Sequence, residues 1–312
     1  MHYAWLPLVL AAIASGRELE MQGVIEPAPA TAFVTLRGGD FPFHAETLSH
    51  ANGRFRFKNL LPGAYTVSVF VPGAGEVHRT VTVSQSLAGA KGRVTVTIPF
   101  EVSGRSLAEQ GKVSLRGLAI PGSARKEYSR AEKRLNTHDI DGAIRHLERA
   151  VELAPQFTAA WNFLGTIAYQ SARYEQAEKY FRVALRHEPG AYSPVVNLGG
   201  TLLSLRRFDE AMKYNQYAAA ERPDDALANS QLGQNYFFLG DFDKALKYLR
   251  EAKRLDPSHF SQPQLILAEI HLRRGETAQA VEELKDLLAR HPDSRNAEHV
   301  RRWLAKLGEK QP

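Results

Sequence analysis

The 312-residue sequence contains no cysteine. That excludes disulfides, thiolate metal sites, cysteine nucleophiles and a lipid anchor on cysteine, so any fold must hold by packing alone. Clustered charge is also missing. Lys and Arg number 11 against 8 Asp and Glu in the first 123 residues, and 29 against 26 in the remainder. The net charge of +6 is spread over the chain, whereas a nucleic-acid surface needs Lys and Arg gathered on one face; no nucleic-acid partner is expected. Long apolar runs are scarce. The longest opening run, Ala4 to Ala14, falls short of the ~20 residues of a membrane-spanning helix. It ends in Ala12-Ile13-Ala14, a small-x-small cleavage pattern, and reads as a secretory signal over 1–14. The alternatives are an uncleaved anchor or a misassigned start. With the signal removed, no stable membrane span is expected, and the chain reads as exported, to a periplasm or the outer envelope.

What is present divides by period. Apolar content of 44% and charged content of 24% suit folded domains. Over 20–100 the pattern alternates: Phe33 and Thr35, Phe55 and Phe57, Tyr65, Val67 and Val69, Val81 and Val83, Val94, Val96 and Ile98. Alternating β-branched and aromatic residues in short runs indicate half-buried strands. Gly38-Gly39, Asn52-Gly53, Pro62-Gly63 and Pro72-Gly73 supply the turns between them. About seven short strands at this spacing make an all-β sandwich.

Asn52-Gly53-Arg54-Phe55, followed by Leu61-Pro62-Gly63-Ala64-Tyr65-Thr66-Val67, resembles the carboxypeptidase regulatory-like, prealbumin-like family. The resemblance covers about 20–100 and implies a β-sandwich found beside peptidases and on surface proteins; it borders on starch-binding-like sandwiches. Residues 101–123 read as a linker. Val113, Leu115 and Leu118 can add one strand there, and Ser123, after Pro121-Gly122, suits an N-cap for a helix from Ala124.

Beyond Ala124 the period becomes helical and a longer interval appears. Prolines fall at 155, 189, 223, 257 and 292, at intervals of 34, 34, 34 and 35. Ala143, Ala177, Ala211, Ala245 and Ala280 keep the same step. So do Ala131, Gly165, Gly199, Gly233 and Ala268, and the bulky Ile140, Tyr174, Phe208 and Phe242, with Thr277 in the last place. Each unit reads as two antiparallel helices. The small residues sit where the helices cross, the bulky one opens the second helix, and proline stops it by removing a donor. The stretch from Trp161 to Pro189 closely resembles the tetratricopeptide repeat, and the resemblance covers five repeats over 124–294. Trp161 departs from its counterparts Glu127, Val195, Asn229 and Gln264. Asn215 stands where Leu147, Phe181, Leu249 and Leu284 are apolar, which predicts loose packing in the third unit. An extra residue between Pro257 and Ala268 predicts a longer turn there. Residues 295–312 read as a capping helix, with Val300, Trp303, Leu304 and Leu307 on one face.

Motifs for chemistry are absent. None of the eleven histidines has Glu three residues later, and neither His-Glu-x-x-His, a phosphate loop nor a Gly-x-Ser-x-Gly elbow occurs. Ser123-Ala-Arg-Lys126 is better read as a helix start than as a Ser-x-x-Lys nucleophile. His187 and His291 precede terminating prolines, where a protonated ring would favour a helix C-terminus. No catalytic residue, cofactor or metal ligand is therefore assigned, and the chain reads as a non-enzymatic interaction protein.

The candidate site is the concave face lined by the first helix of each pair. The repeat register places Asn162, Thr166, Tyr169, Asn197, Gln231, Gln234 and Phe237 there. Amides suit the backbone of an extended protein or peptide partner, and the two aromatics either meet its side chains or pack between helices. The repeat family's clamp for a terminal carboxylate is not implied, since no Lys stands among these residues. The alternative is a polysaccharide ligand on the sandwich at Phe41 and Phe43, which read equally as hydrophobic plugs.

Overall fold

The computed structural model describes residues 19–89, 91–101 and 119–308. The signal at 1–14 and the extra strand at Val113–Leu118 lie outside these residues. Seven strands form among them: β1 (Leu19–Glu26), β2 (Phe33–Gly38), β3 (His44–Leu48), β4 (Arg54–Leu60), β5 (Gly63–Val71), β6 (Gly75–Val83) and β7 (Arg93–Pro99). They make two sheets, β4-β1-β7 and β3-β2-β5-β6, with β1 antiparallel to β4 and parallel to β7. Met21, Ile25, Val34, Leu36, Phe55, Phe57, Tyr65, Val67, Val69, Val81, Val83, Val94 and Ile98 form the buried layer between them.

The alternation was read one residue out of register in β2. Phe33 and Thr35 face outward, and Phe33 is 52% exposed. The core takes Val34 and Leu36 instead, because these lie opposite Val69 and Val67 of β5. A one-residue offset exchanges the two faces of a strand. The Asn52-Gly53 turn has a backbone reason for its glycine. Gly53 has φ +74°, and a Cβ there would lie 2.6 Å from the Ile25 carbonyl oxygen. Tyr65 is fully buried, and its hydroxyl donates to the Leu61 carbonyl at 2.9 Å, locking the second turn to the core.

Eleven helices follow among the described residues. They are α1 (Gly122–Asn136), α2 (Ile140–Leu153), α3 (Thr158–Gln170), α4 (Tyr174–His187), α5 (Tyr192–Ser204), α6 (Phe208–Glu221), α7 (Ala226–Phe238), α8 (Phe242–Leu255), α9 (Pro263–Arg273), α10 (Thr277–Arg290) and α11 (Ala297–Gly308). Each second helix opens on the bulky track and ends two residues before its proline. Each crossing residue of the two small tracks is buried. At Gly165 the approach is closest to an aromatic, since a Cβ would lie 2.4 Å from the Phe181 ring. The turn between α8 and α9 spans 256–262, against 154–157, 188–191 and 222–225 in the earlier repeats. Val300, Trp303, Leu304 and Leu307 of α11 pack on Ala268, Ala280, Leu284 and Leu287, covering the last open face.

Two expectations are corrected. Ser123 is not the N-cap: α1 begins at Gly122 behind Pro121, with no side-chain cap bond. Proline's fixed φ already presents the chain for helix entry, so the serine falls in the first turn. Nor is the third repeat loosely packed at Asn215. This side chain is wholly buried and donates to Asn235 Oδ1 at 2.9 Å, and Asn235 donates to the Phe208 carbonyl at 2.9 Å. Gly199 makes the room, for a Cβ there would lie 2.0 Å from Asn215 Oδ1. Asn215→Leu, the residue that the repeat pattern calls for, should therefore destabilise the chain by about 1–3 kcal/mol, since it strands the buried Asn235 amide. Urea unfolding checks this; a more stable variant would mean that the relay contributes nothing.

Candidate functional site

First helices of successive repeats lie side by side, so residues about 34 apart meet across them. Asn197 on α5 donates to Asn162 Oδ1 on α3 at 2.9 Å and reaches Thr166 Oγ1 at 3.4 Å. The Thr166 hydroxyl in turn donates to the Asn162 carbonyl at 3.0 Å. Tyr169, one turn further along α3, is 36% exposed, and its hydroxyl oxygen accepts from Ser204 at 3.3 Å. Gln231 on α7 is 8% exposed; its amide nitrogen presses on Gly200, and its Oε1 is buried with no hydrogen-bond partner. Gln234 donates to Ser230 Oγ at 3.2 Å. The structure thus joins Asn162, Thr166 and Asn197 directly, with Tyr169 at their open end and Gln231 and Gln234 on the next helix. Phe237 belongs to the packing instead. It meets Phe238 at 5.4 Å and Phe242 at 5.8 Å, with the Arg273 guanidinium 5.4 Å from its ring.

The sandwich lies against the helical array. Near its start, the Phe43 ring packs on His138 at 5.2 Å, His44 meets Glu132 of α1 at 3.5 Å, and Gln170 of α3 donates to the Gly38 carbonyl at 3.0 Å. At the far end, Asp256 accepts from the Thr80 amide at 2.9 Å, His291 Nδ1 lies 2.9 Å from Thr82 Oγ1, and Asp293 accepts from Ser86. Phe260, from the lengthened turn, sits over Gly39. The outer face of β3-β2-β5-β6 thus meets the first helices α1 and α3 at one end and the turns that follow α8 and α10 at the other. Phe41 and Phe43 are plugs, each with its ring edge-on to Tyr65 at 5.1 and 5.4 Å.

A family model described as "Tetratricopeptide repeat" matches residues 128–194 and 168–226, and a second of the same description matches 202–265 and 239–307. Together they span 128–307, more than half of the chain. The chain is a tetratricopeptide-repeat protein. A search of the curated proteins returned no match. Among solved structures, PilW, a widely conserved type IV pilus biogenesis factor, is 23% identical with a TM-score of 0.54, over 61% of this chain and 87% of PilW. The Cut9–Hcn1 hetero-tetramer of APC/C is 20% identical with the same TM-score, over 65% of this chain and 41% of that one. MamA from Desulfovibrio magneticus RS-1 is 19% identical at a TM-score of 0.49, over 57% of this chain and 99% of that one. At these identities the likeness is one of fold.

Docking of the sandwich sets the electrostatics of the tetratricopeptide solenoid. His291 was expected to sit protonated at a helix end; instead burial holds its ring near a pKa of about 4, so it is neutral against Thr82. His259 is also pushed down by burial. On the other side of the interface, burial and the neighbouring Glu46 raise the Glu132 carboxyl to about 7. Burial, then Arg37, lowers His44. His44, Glu46 and Glu132 gather their ligand atoms within 4.8 Å of one another. The sequence search missed this set because it used the spacings of helices. The usable signal was His44-Ala45-Glu46, which on a strand places both side chains on one face.

Asp256 is the most buried anion of the docking contacts. Asp256→Ala should raise amide exchange at Thr80 by about 10- to 150-fold while leaving α1–α4 unchanged, through loss of about 1.5–3 kcal/mol of a charge-assisted hydrogen bond. Hydrogen–deuterium exchange reads it, and unchanged protection at Thr80 would refute the contact's weight.

Proposed function

We propose that this chain is a non-enzymatic interaction protein, exported to the cell envelope, whose tetratricopeptide solenoid holds a protein or peptide partner on its first-helix face. The observation that carries the reading is the joined polar set Asn162–Thr166–Asn197 with Tyr169, 36% exposed, at its end. Tyr169 gives an accessible aromatic that a partner's side chain can meet beside these amides. The docked sandwich covers part of that face at α1 and α3. Its two sheets, its buried Tyr65 and its Asn52-Gly53 turn support the carboxypeptidase regulatory-like type. Polysaccharide binding gains nothing from Phe41 and Phe43, whose rings are spent on Tyr65. Export rests on the Ala4–Ala14 run and its Ala12-Ile13-Ala14 cleavage pattern. Among the described residues, no helix is long and apolar enough to cross a membrane.

The test is capture from the native envelope fraction, with a photo-crosslinker at position 204, whose side chain lies beside Tyr169, in both the parent and a protein carrying Asn197→Ala and Tyr169→Ala. One protein crosslinked at 204 in the parent, and lost from the double variant with circular dichroism unchanged, is the expected result. Capture that survives the double variant would refute the groove. Amino-terminal sequencing of the mature protein from fractionated cells tests export, with a start after residue 14 expected.

A further inference from the structure

We propose that His44, Glu46 and Glu132 form a zinc site that fastens the β-sandwich to the first helix of the solenoid. His44 Nε2 lies 3.2 Å from Glu46 Oε1 and 3.5 Å from Glu132 Oε1. A tetrahedral zinc ion with bonds of about 2.0–2.1 Å separates its ligand atoms by roughly 3.3–3.4 Å. Two edges of the triangle thus already have the length that zinc requires, and the third stays within 4.8 Å. One imidazole and two carboxylates are a borderline set that suits zinc better than magnesium or calcium, which take oxygen alone.

The setting is graded in burial. His44 is 3% exposed, and its ring stands 6.1 Å from Phe163, which in turn packs on Tyr128 at 5.7 Å. These rings wall the inner side. Glu132 is mostly covered, and Glu46 is open to solvent. The ion therefore enters from the Glu46 side, and water completes its fourth position there. Arg37, the cross-strand neighbour of His44, is the nearby cation whose field opposes the ion. Its opposition is weaker than direct bonds to two carboxylates. Two ligands come from β3 and the third from α1, so the ion spans the two modules. Zinc thereby resists the opening of the docked sandwich.

The experiment uses the full chain, stripped with chelator, and Zn²⁺ alone as the probe. Isothermal titration should show one tight zinc per chain, with a rise in the unfolding midpoint when zinc is added. Co²⁺ in its place should give the intense visible bands of a four-coordinate ion. Glu132→Gln and His44→Gln should each weaken zinc binding by more than about tenfold. Because those positions are covered, Glu46→Gln serves as the variant that leaves the packing intact, and it too should lose tenfold. His78→Gln, which removes the exposed His78–Glu76 pair on the same sheet, should bind as the parent does. Absence of a one-to-one site overturns the proposal. So does zinc binding that survives both Glu46→Gln and Glu132→Gln, or that is lost in His78→Gln.

Discussion

Gly165→Leu should abolish partner capture as completely as removing Asn197 and Tyr169, although it touches no groove side chain. The reason lies in the crossing of α3 and α4. A Cβ at Gly165 would lie 2.4 Å from the Phe181 ring, and further ring atoms lie within 2.8 Å. Phe181 is 1% exposed, so its ring has no free volume to enter. Overpacking of a full core costs about 1–3 kcal/mol and occasionally more; four added carbons against a fixed ring belong at the upper end. The helices must part, and α3 carries Asn162 and Thr166 on either side of position 165. Moving α3 by an ångström or more breaks the 2.9 Å bond from Asn197 and the 3.4 Å approach to Thr166. A solenoid is stabilised by nearest-neighbour interfaces, so the strain uncouples the first two repeats from the rest. Urea unfolding followed by circular dichroism should turn from one transition into two. A Gly165→Leu protein with the parent's stability would mean that the crossing is not close, and it would remove the basis for the groove.

The solenoid was legible because its physics repeats. Every crossing needs a small residue and every second helix needs a stop, so five copies of one constraint stand out against a single sequence. The sandwich was legible as a class because strands alternate, and illegible in detail because alternation has two phases. Phe33 is the larger side chain, yet Val34 faces the core, and only the partners on β5 decide it. Asn215 is the same lesson inside the repeats. A polar residue in an apolar track looks like a defect until Asn235, 20 residues on, is seen to accept from its amide nitrogen, while Asn215 Oδ1 stays buried without a partner among the described residues. Of the groove residues, Asn162, Thr166 and Asn197 met as the register required, whereas Phe237 was claimed by Phe238 and Phe242.

The docking of one module on the other could not be read at all. Its contacts join Gly38 to Gln170, Thr80 to Asp256 and Thr82 to His291, with separations of 132, 176 and 209 residues. They are single polar contacts with no period, and each residue type is common on surfaces. His44 and Glu132 belong to the same class. Their meaning arises only when β3 is laid on α1.

That docking makes stability depend on acid, and the sign follows from the two histidines. His291 has a pKa of about 4 in the folded chain, below the ordinary 6.5, because burial opposes its charged form. Asp256 and Asp286 favour the charge, while Arg290 and His259 oppose it. At His291 the unfolded chain therefore binds more protons than the folded one between about pH 4 and 6.5, whereas Glu132, raised to about 7 by burial and Glu46, acts with the opposite sign. The His291 contribution to stability is fully present above pH 6.5 and falls as pH drops towards 4. A shift of this size is worth roughly 3 kcal/mol. His259 acts in the same direction, since burial lowers it as well. His291→Gln keeps a side chain able to pair with Thr82 and removes the proton. It should match the parent within about 1 kcal/mol at pH 7.5 and exceed it by about 2–3 kcal/mol at pH 4. Denaturant unfolding across that range, with amide exchange at Thr82 as the local readout, measures both. Parallel curves for the two proteins would mean that His291 titrates freely, and hence that β6 does not cover it. A divergence that opens below pH 6.5, with exchange at Thr82 rising in the parent first, places the acid-sensitive step at the seam between β6 and the last repeat.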